Sequence, residues 1–92
     1  MTWDELVSKV YKLGLTIVEI NDYYYIGMKA NNAKWKLFKW KQDMTESDLL
    51  RMTWNDTHIH GILTKLDNGS YQMKVKEDIK VIKQDKIKFN VR

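Results

Sequence analysis

The sequence predicts a single α+β domain: an N-terminal helix packed on an antiparallel β-meander, a short second helix, then further antiparallel strands. Two helix-start signals and a series of turn signals between alternating apolar runs carry that prediction. The chain is 92 residues long, 43% hydrophobic and 12% aromatic, enough apolar surface for one modest core. The stretches on either side of residues 42–56 are each too short to fold alone, so residues 1–92 form one domain.

Thr2-Trp3-Asp4-Glu5 is a capping box, with a hydroxyl for the first free amides and a glutamate three residues later. Trp3, Leu6, Val7, Val10 and Leu13 follow at helical spacing, and Gly14 is placed to end the helix in a left-handed conformation. This predicts a helix over 3–13 with Trp3 in the core. Residues 15–20 read as a strand, Asn21-Asp22 as a turn, and residues 23–30 as a second strand. Asn31-Asn32 reads as a two-residue turn, since asparagine tolerates positive φ.

The third strand holds Lys34-Trp35-Lys36-Leu37-Phe38-Lys39-Trp40-Lys41, four lysines and four large apolar residues in eight positions. Strict alternation would mix charge and aromatic surface on both faces. A β-bulge at Leu37-Phe38 separates them, putting Trp35, Leu37 and Trp40 on a core face and all four lysines on the other. In that register Met28 faces Trp35, Ile26 faces Leu37, Tyr24 faces Trp40 and Ile17 faces Ile26. The second face then carries Val18, Ile20, Tyr23, Tyr25 and Lys29 beside Lys34, Lys36, Lys39 and Lys41.

Residues 42–56 are acidic, and Thr45-Glu46-Ser47-Asp48 resembles a helix start, predicting a short helix over 46–53 whose early carboxylates suit its N-terminus. Asp67-Asn68-Gly69 is the strongest hairpin signal. With Asn68-Gly69 as the loop, Leu66 faces Tyr71, Thr64 faces Met73 and Ile62 faces Val75. Residues 79–83 and 86–91 form a further predicted hairpin around Gln84-Asp85. The lysines of its last strand suit a sheet edge that discourages aggregation.

Composition narrows the function classes. Cysteine is absent, which removes disulfides and cysteine-based metal sites. No apolar run approaches a membrane span and the first residues lack a signal-peptide core, so the expected setting is soluble and cytoplasmic. The net charge is +4, from fourteen lysines and two arginines against twelve carboxylates. The scarcity of arginine argues against base-specific DNA readout, and AT-rich coding accounts for the lysine bias equally well.

No nucleophile elbow, glycine-rich phosphate loop or P-loop lysine is present. Ser8, Ser47 and Ser70 fall on a helix face, a helix start and a turn. His58-Ile59-His60 would point two imidazoles one way on a strand, but a metal site needs three or four ligands, so the pair reads as polar strand residues. No catalytic residue, cofactor or metal is assigned.

Lys34–Lys39 is similar to the start of cecropin-type membrane-active peptides. The match covers six residues, and the turn-bounded flanks predict a strand rather than the amphipathic helix of those peptides, so it implies no membrane activity. The reading that remains is a non-enzymatic binding protein. Its leading form is sequence-independent contact with single-stranded nucleic acid through Tyr23, Tyr25, Lys29, Lys34, Lys36, Lys39 and Lys41, with flat side chains for bases and cations for phosphates. The alternative is a compact phage- or plasmid-type inhibitor or adaptor that docks on a host protein.

Overall fold

The computed structural model describes residues 2–41, 43–54, 58–75, 78–83 and 86–90. Helix α1 spans Trp3–Lys12 and α2 spans Glu46–Trp54; the strands are β1 (Thr16–Ile20), β2 (Tyr23–Asn31), β3 (Lys34–Lys39), β4 (Gly61–Lys65), β5 (Tyr71–Val75), β6 (Asp78–Ile82) and β7 (Ile87–Asn90). The architecture is thus an N-terminal helix, an antiparallel sheet and a short second helix. The strands form one sheet in the order β6-β5-β4-β3-β2-β1-β7.

Both helices begin where local chemistry dictates, and α1 ends in the same way. The Thr2 hydroxyl accepts from the Glu5 amide at 3.2 Å. At the other end the Gly14 amide donates to the Tyr11 carbonyl and the Leu15 amide to the Val10 carbonyl, the paired bonds of a Schellman motif. Ahead of α2, Thr45 and Asp48 cap each other: the Thr45 amide and hydroxyl both donate to the Asp48 carboxylate, and the Asp48 amide donates to the Thr45 hydroxyl. These bonds hold the Asp48 carboxyl below its ordinary value.

The sheet cannot be flat. Six strand spacings of about 4.8 Å would put its two edges nearly 30 Å apart, yet the five Cα steps from Ile82 on one edge to Ile87 on the other reach at most about 19 Å. The sheet therefore curls into an open barrel. Its interior is a cluster of buried and half-buried side chains drawn from all seven strands, among them Val18, Ile20, Tyr25, Leu37, Leu63, Met73, Ile82 and Ile87. Phe89, on one edge strand, packs its ring 5.8 Å from that of Tyr71, next to the other edge. β1 and β5 run the same way, and β6 and β7 run antiparallel to them. Residues 78–82 thus follow β5 and residues 87–90 follow β1, and between these strands the Lys86 amide bonds the Lys83 carbonyl.

A second core lies outside the barrel, where α1 and α2 cover β1–β3. Leu6, Val10 and Leu49 pack there on Ile17, Ile26 and Phe38, with Met44 and Leu15. A salt bridge of 2.9 Å between Lys9 and Glu46 links the two helices at the surface. The outer faces of β4–β6 have no helix over them among the described residues.

Several expectations are corrected. There is no bulge at Leu37-Phe38: β3 pairs regularly, with Gly27 opposite Leu37 and Ile26 opposite Phe38, and the register shift falls between Lys29 and Asn31 of β2. A bulge in β3 is unnecessary because the strand is buried on both faces. Leu37 enters the barrel and Phe38 enters the helix-covered core. Asn31 pairs with Lys34, so the loop is Asn32-Ala33, and the Asn31 side chain accepts from the Ala33 amide at 2.9 Å. Met28 consequently faces Lys36, and Trp35 faces Lys29. The Asn21-Asp22 turn is as expected: both residues have positive φ and Ile17 faces Ile26.

The β4–β5 loop has three residues rather than two. Leu66 bonds Ser70 across it and Gly69 sits at φ 85°, so Leu63 rather than Thr64 faces Met73. Finally, β6 and β7 make no hairpin with each other; they lie on opposite edges. Gln84 and Asp85, the expected turn, lie outside the described residues, as do Asp56, Val91 and Arg92.

Gly61 faces the barrel where β5 passes close by. A Cβ there would stand 2.7 Å from the Lys74 carbonyl oxygen, a backbone atom. Gly61→Ala is expected to destabilise the fold by roughly 1–3 kcal/mol, and Phe38→Ala by about 3–5 kcal/mol through its cavity. Denaturant midpoints measured by tryptophan fluorescence check both.

Candidate nucleic-acid interface

β2 and β3 end together at Tyr23 and Lys39, and six rings gather around that end. On the helix-covered side, Trp3 lies 4.9 Å from the Tyr24 ring and meets Trp40 edge-on at 5.6 Å. On the barrel side, the Tyr25 ring lies 5.3 Å from His60 at a shallow 31° tilt. Tyr23 projects at the tip and is 71% exposed, while Trp3 and Tyr24 are about 40% exposed, at 40% and 38%. A shallow cavity of about 190 Å³ opens among Asp22, Tyr23, Tyr24, Tyr25, Lys39 and Trp40.

The local sequence explains this crowding. The Asn21-Asp22 turn puts three tyrosines at the start of β2, and alternation sends Tyr24 to the helix side and Tyr23 and Tyr25 to the barrel side. Trp3 opens α1, and the helix lays it over Tyr24 and Trp40. The His60 amide donates to the Leu37 carbonyl at 2.8 Å, which holds residue 60 beside the β3 end.

Burial, and then the nearby Lys39 ammonium, hold the His60 imidazole below its ordinary value. Burial pushes the Tyr25 phenol up. The Tyr24 phenol is also raised, chiefly by its hydrogen bond to the Glu19 carboxylate opposite it in the β1–β2 ladder.

The seven residues singled out from the sequence do not share one face. Tyr23, Tyr25 and Lys39 meet at the ring-lined end. Lys41 lies just beyond, in a cleft of mixed charge with Asp43, Asp48, Arg51 and His58. Lys29 is on the barrel-side register at the opposite end, facing Trp35. Lys36 faces Met28 and Ile62 on the other side of the sheet, and Lys34 lies at the far hairpin. Val18 and Ile20, expected on the open face, are buried inside the barrel.

Trp3, assigned to the core from its place in the helical stripe, is instead a partly open ring of this site. Tyr24, Trp40 and His60 were likewise not singled out for it. Their only common signal is tertiary, since residues 3, 24, 40 and 60 converge through the topology. His58 and His60 do not share a strand: His58 is exposed on a short 3₁₀ turn and His60 precedes β4. Among the described residues no group of three metal-ligating side chains assembles, and no helix is long and apolar enough to cross a membrane.

The fold and site together define a small curled-sheet protein with a ring-and-lysine patch at one end. No protein-family model matches the chain, and no curated protein or solved structure matches it.

His60 makes stability depend on pH. An unfolded histidine titrates near 6.5 and the folded one below it, so the unfolded state binds more protons between the two values. The contribution is complete above about pH 6.5 and is lost as the pH falls through the folded value. His60→Phe, which keeps a ring against Tyr25, is expected to flatten this part of the melting-temperature profile between pH 8 and pH 5 (roughly the range in which histidine changes charge).

Proposed function

We propose that this is a non-enzymatic protein that binds single-stranded nucleic acid, without base readout, at the end of β2 and β3. The observation that supports it is the cluster of partly exposed rings around Lys39. Bases stack on Tyr23 and Trp3, each base contributing roughly 1–3 kcal/mol in sites of this kind. Lys39, with Lys41 nearby, holds the phosphates as point charges. Lysine offers no fork to a base edge, so the binding is sequence-tolerant and salt-sensitive.

Fluorescence anisotropy with a labelled oligothymidylate tests this. Lys39→Glu is expected to weaken binding and to reduce the salt slope by roughly 0.7, the value for one phosphate contact on a single strand. Tyr23→Ala is expected to weaken binding at every salt concentration. Lys34→Glu, at the far hairpin, leaves it unchanged. Absence of binding at low salt overturns the reading.

One observation favours the alternative, an inhibitor or adaptor docking on a host protein. Ile79 and Val81 are 56% and 70% exposed on the same side of edge strand β6, where no helix covers the sheet. Edge strands of this kind are ready docking surfaces. In that case Val81→Lys abolishes a nuclease-resistant complex from the source cell and Lys39→Glu does not. Either partner is one that a cytoplasmic protein meets.

A further inference from the structure

The barrel has a second mouth, at the end opposite Tyr25 and His60, where α1 gives way to β1. A cavity of about 370 Å³ opens there, within the range of small-molecule sites. Its walls come from two sources. Leu15 and Tyr11 belong to the helix–strand junction, while Gly27, Trp35 and Phe89 line the barrel side. The aromatic wall is braced: Trp35 and Phe89 lie 5.0 Å apart at 45°, and Tyr71 stands behind them at 6.1 Å and 5.8 Å. Such a wall presents flat apolar surface whose rotamers are set by packing before any ligand arrives.

The polar content is equally specific. Lys29 is the one charged side chain among the described residues that line this cavity, and no carboxylate accompanies it. The cleft beside Lys41 and the one around Glu19 each mix acids with bases; this mouth does not. An apolar slot with one cation at its rim selects an apolar body carrying a single negative charge. A nucleic-acid backbone, with its repeated charges, does not fit that description, and the site is at the far end of the barrel from the ring cluster.

We propose that this mouth binds a small planar aromatic anion, a carboxylate or sulfonate of one or two fused rings. The ring body lies against Trp35 and Phe89, and the anionic group meets the Lys29 ammonium. The site is independent of the nucleic-acid reading, and either can fail without the other.

The test uses 1-naphthoate as the anionic probe and 1-naphthylmethanol as its neutral counterpart, titrated into the full chain and followed by amide and indole proton–nitrogen spectra. Naphthoate is expected to saturate, with shifts at Thr16, Gly27, Lys29 and the Trp35 indole, and to bind roughly 1.5-fold to fivefold more tightly than the alcohol, the range for one exposed ion pair. Lys29→Met removes that preference, and Lys29→Arg keeps it. The proposal is overturned by no saturation up to about 5 mM, weaker than almost any specific site. It is overturned equally by shifts located elsewhere, or by equal affinity for the two probes in the unaltered chain, a comparison that needs no variant to fold.

Discussion

The structure depends on one geometric constraint: four residues must join the two edges of a seven-stranded sheet. A flat sheet cannot meet it, so the strands curl, and the curl creates the interior. Val18, Leu37, Leu63 and Ile82 come from four different strands, and each is buried because the sheet wraps around to meet it. The same curl decides what remains at the surface. With one face of the sheet turned inward, open surface is left at the two barrel mouths, on the helices and on the outside of β4–β6.

Local chemistry was legible in the sequence wherever one residue settles one bond. Thr2, Gly14, Thr45 and the Asn21-Asp22 turn behave as their side chains require, and both helices fall within a residue of their predicted ends. Register was less legible because it rests on loop length. Taking Asn68-Gly69 alone as the loop leaves out Asp67 and moves every β4 side chain to the opposite face. The bulge at Leu37-Phe38 failed for a related reason. A bulge there would give β3 one apolar face, and β3 has two, one for the helices and one for the barrel. A strand buried on both sides carries no alternation from which to read its orientation.

The candidate interface was legible in part. Tyr23, Tyr25 and Lys39 do meet, because they are adjacent in one hairpin and alternation suffices to join them. Lys29, Lys34 and Lys36 separate from them because the expected face assumed a bulge and a flat sheet. Trp3, Trp40 and His60 join the cluster from α1, from beyond β3 and from before β4. Such convergence depends on how the curled sheet and the helix settle together, and no spacing rule expresses it.

The pairing of β1 with β7 also sets an order of events at the ribosome. Val18 faces Phe89, about 70 positions later, and contacts of such separation slow folding because a long loop must close first. As the chain emerges, α1 and the β1–β3 meander can assemble their helix-covered core as soon as α2 follows. The inner side of the same strands has no such early partner. Val18 and Ile20 stay open to water until residues 87–90 arrive, which makes the nascent meander a sticky, half-finished sheet. Lys39, the β3 lysine on that inner side, puts a charge on the transient surface during the interval in which it would otherwise pair with a neighbour.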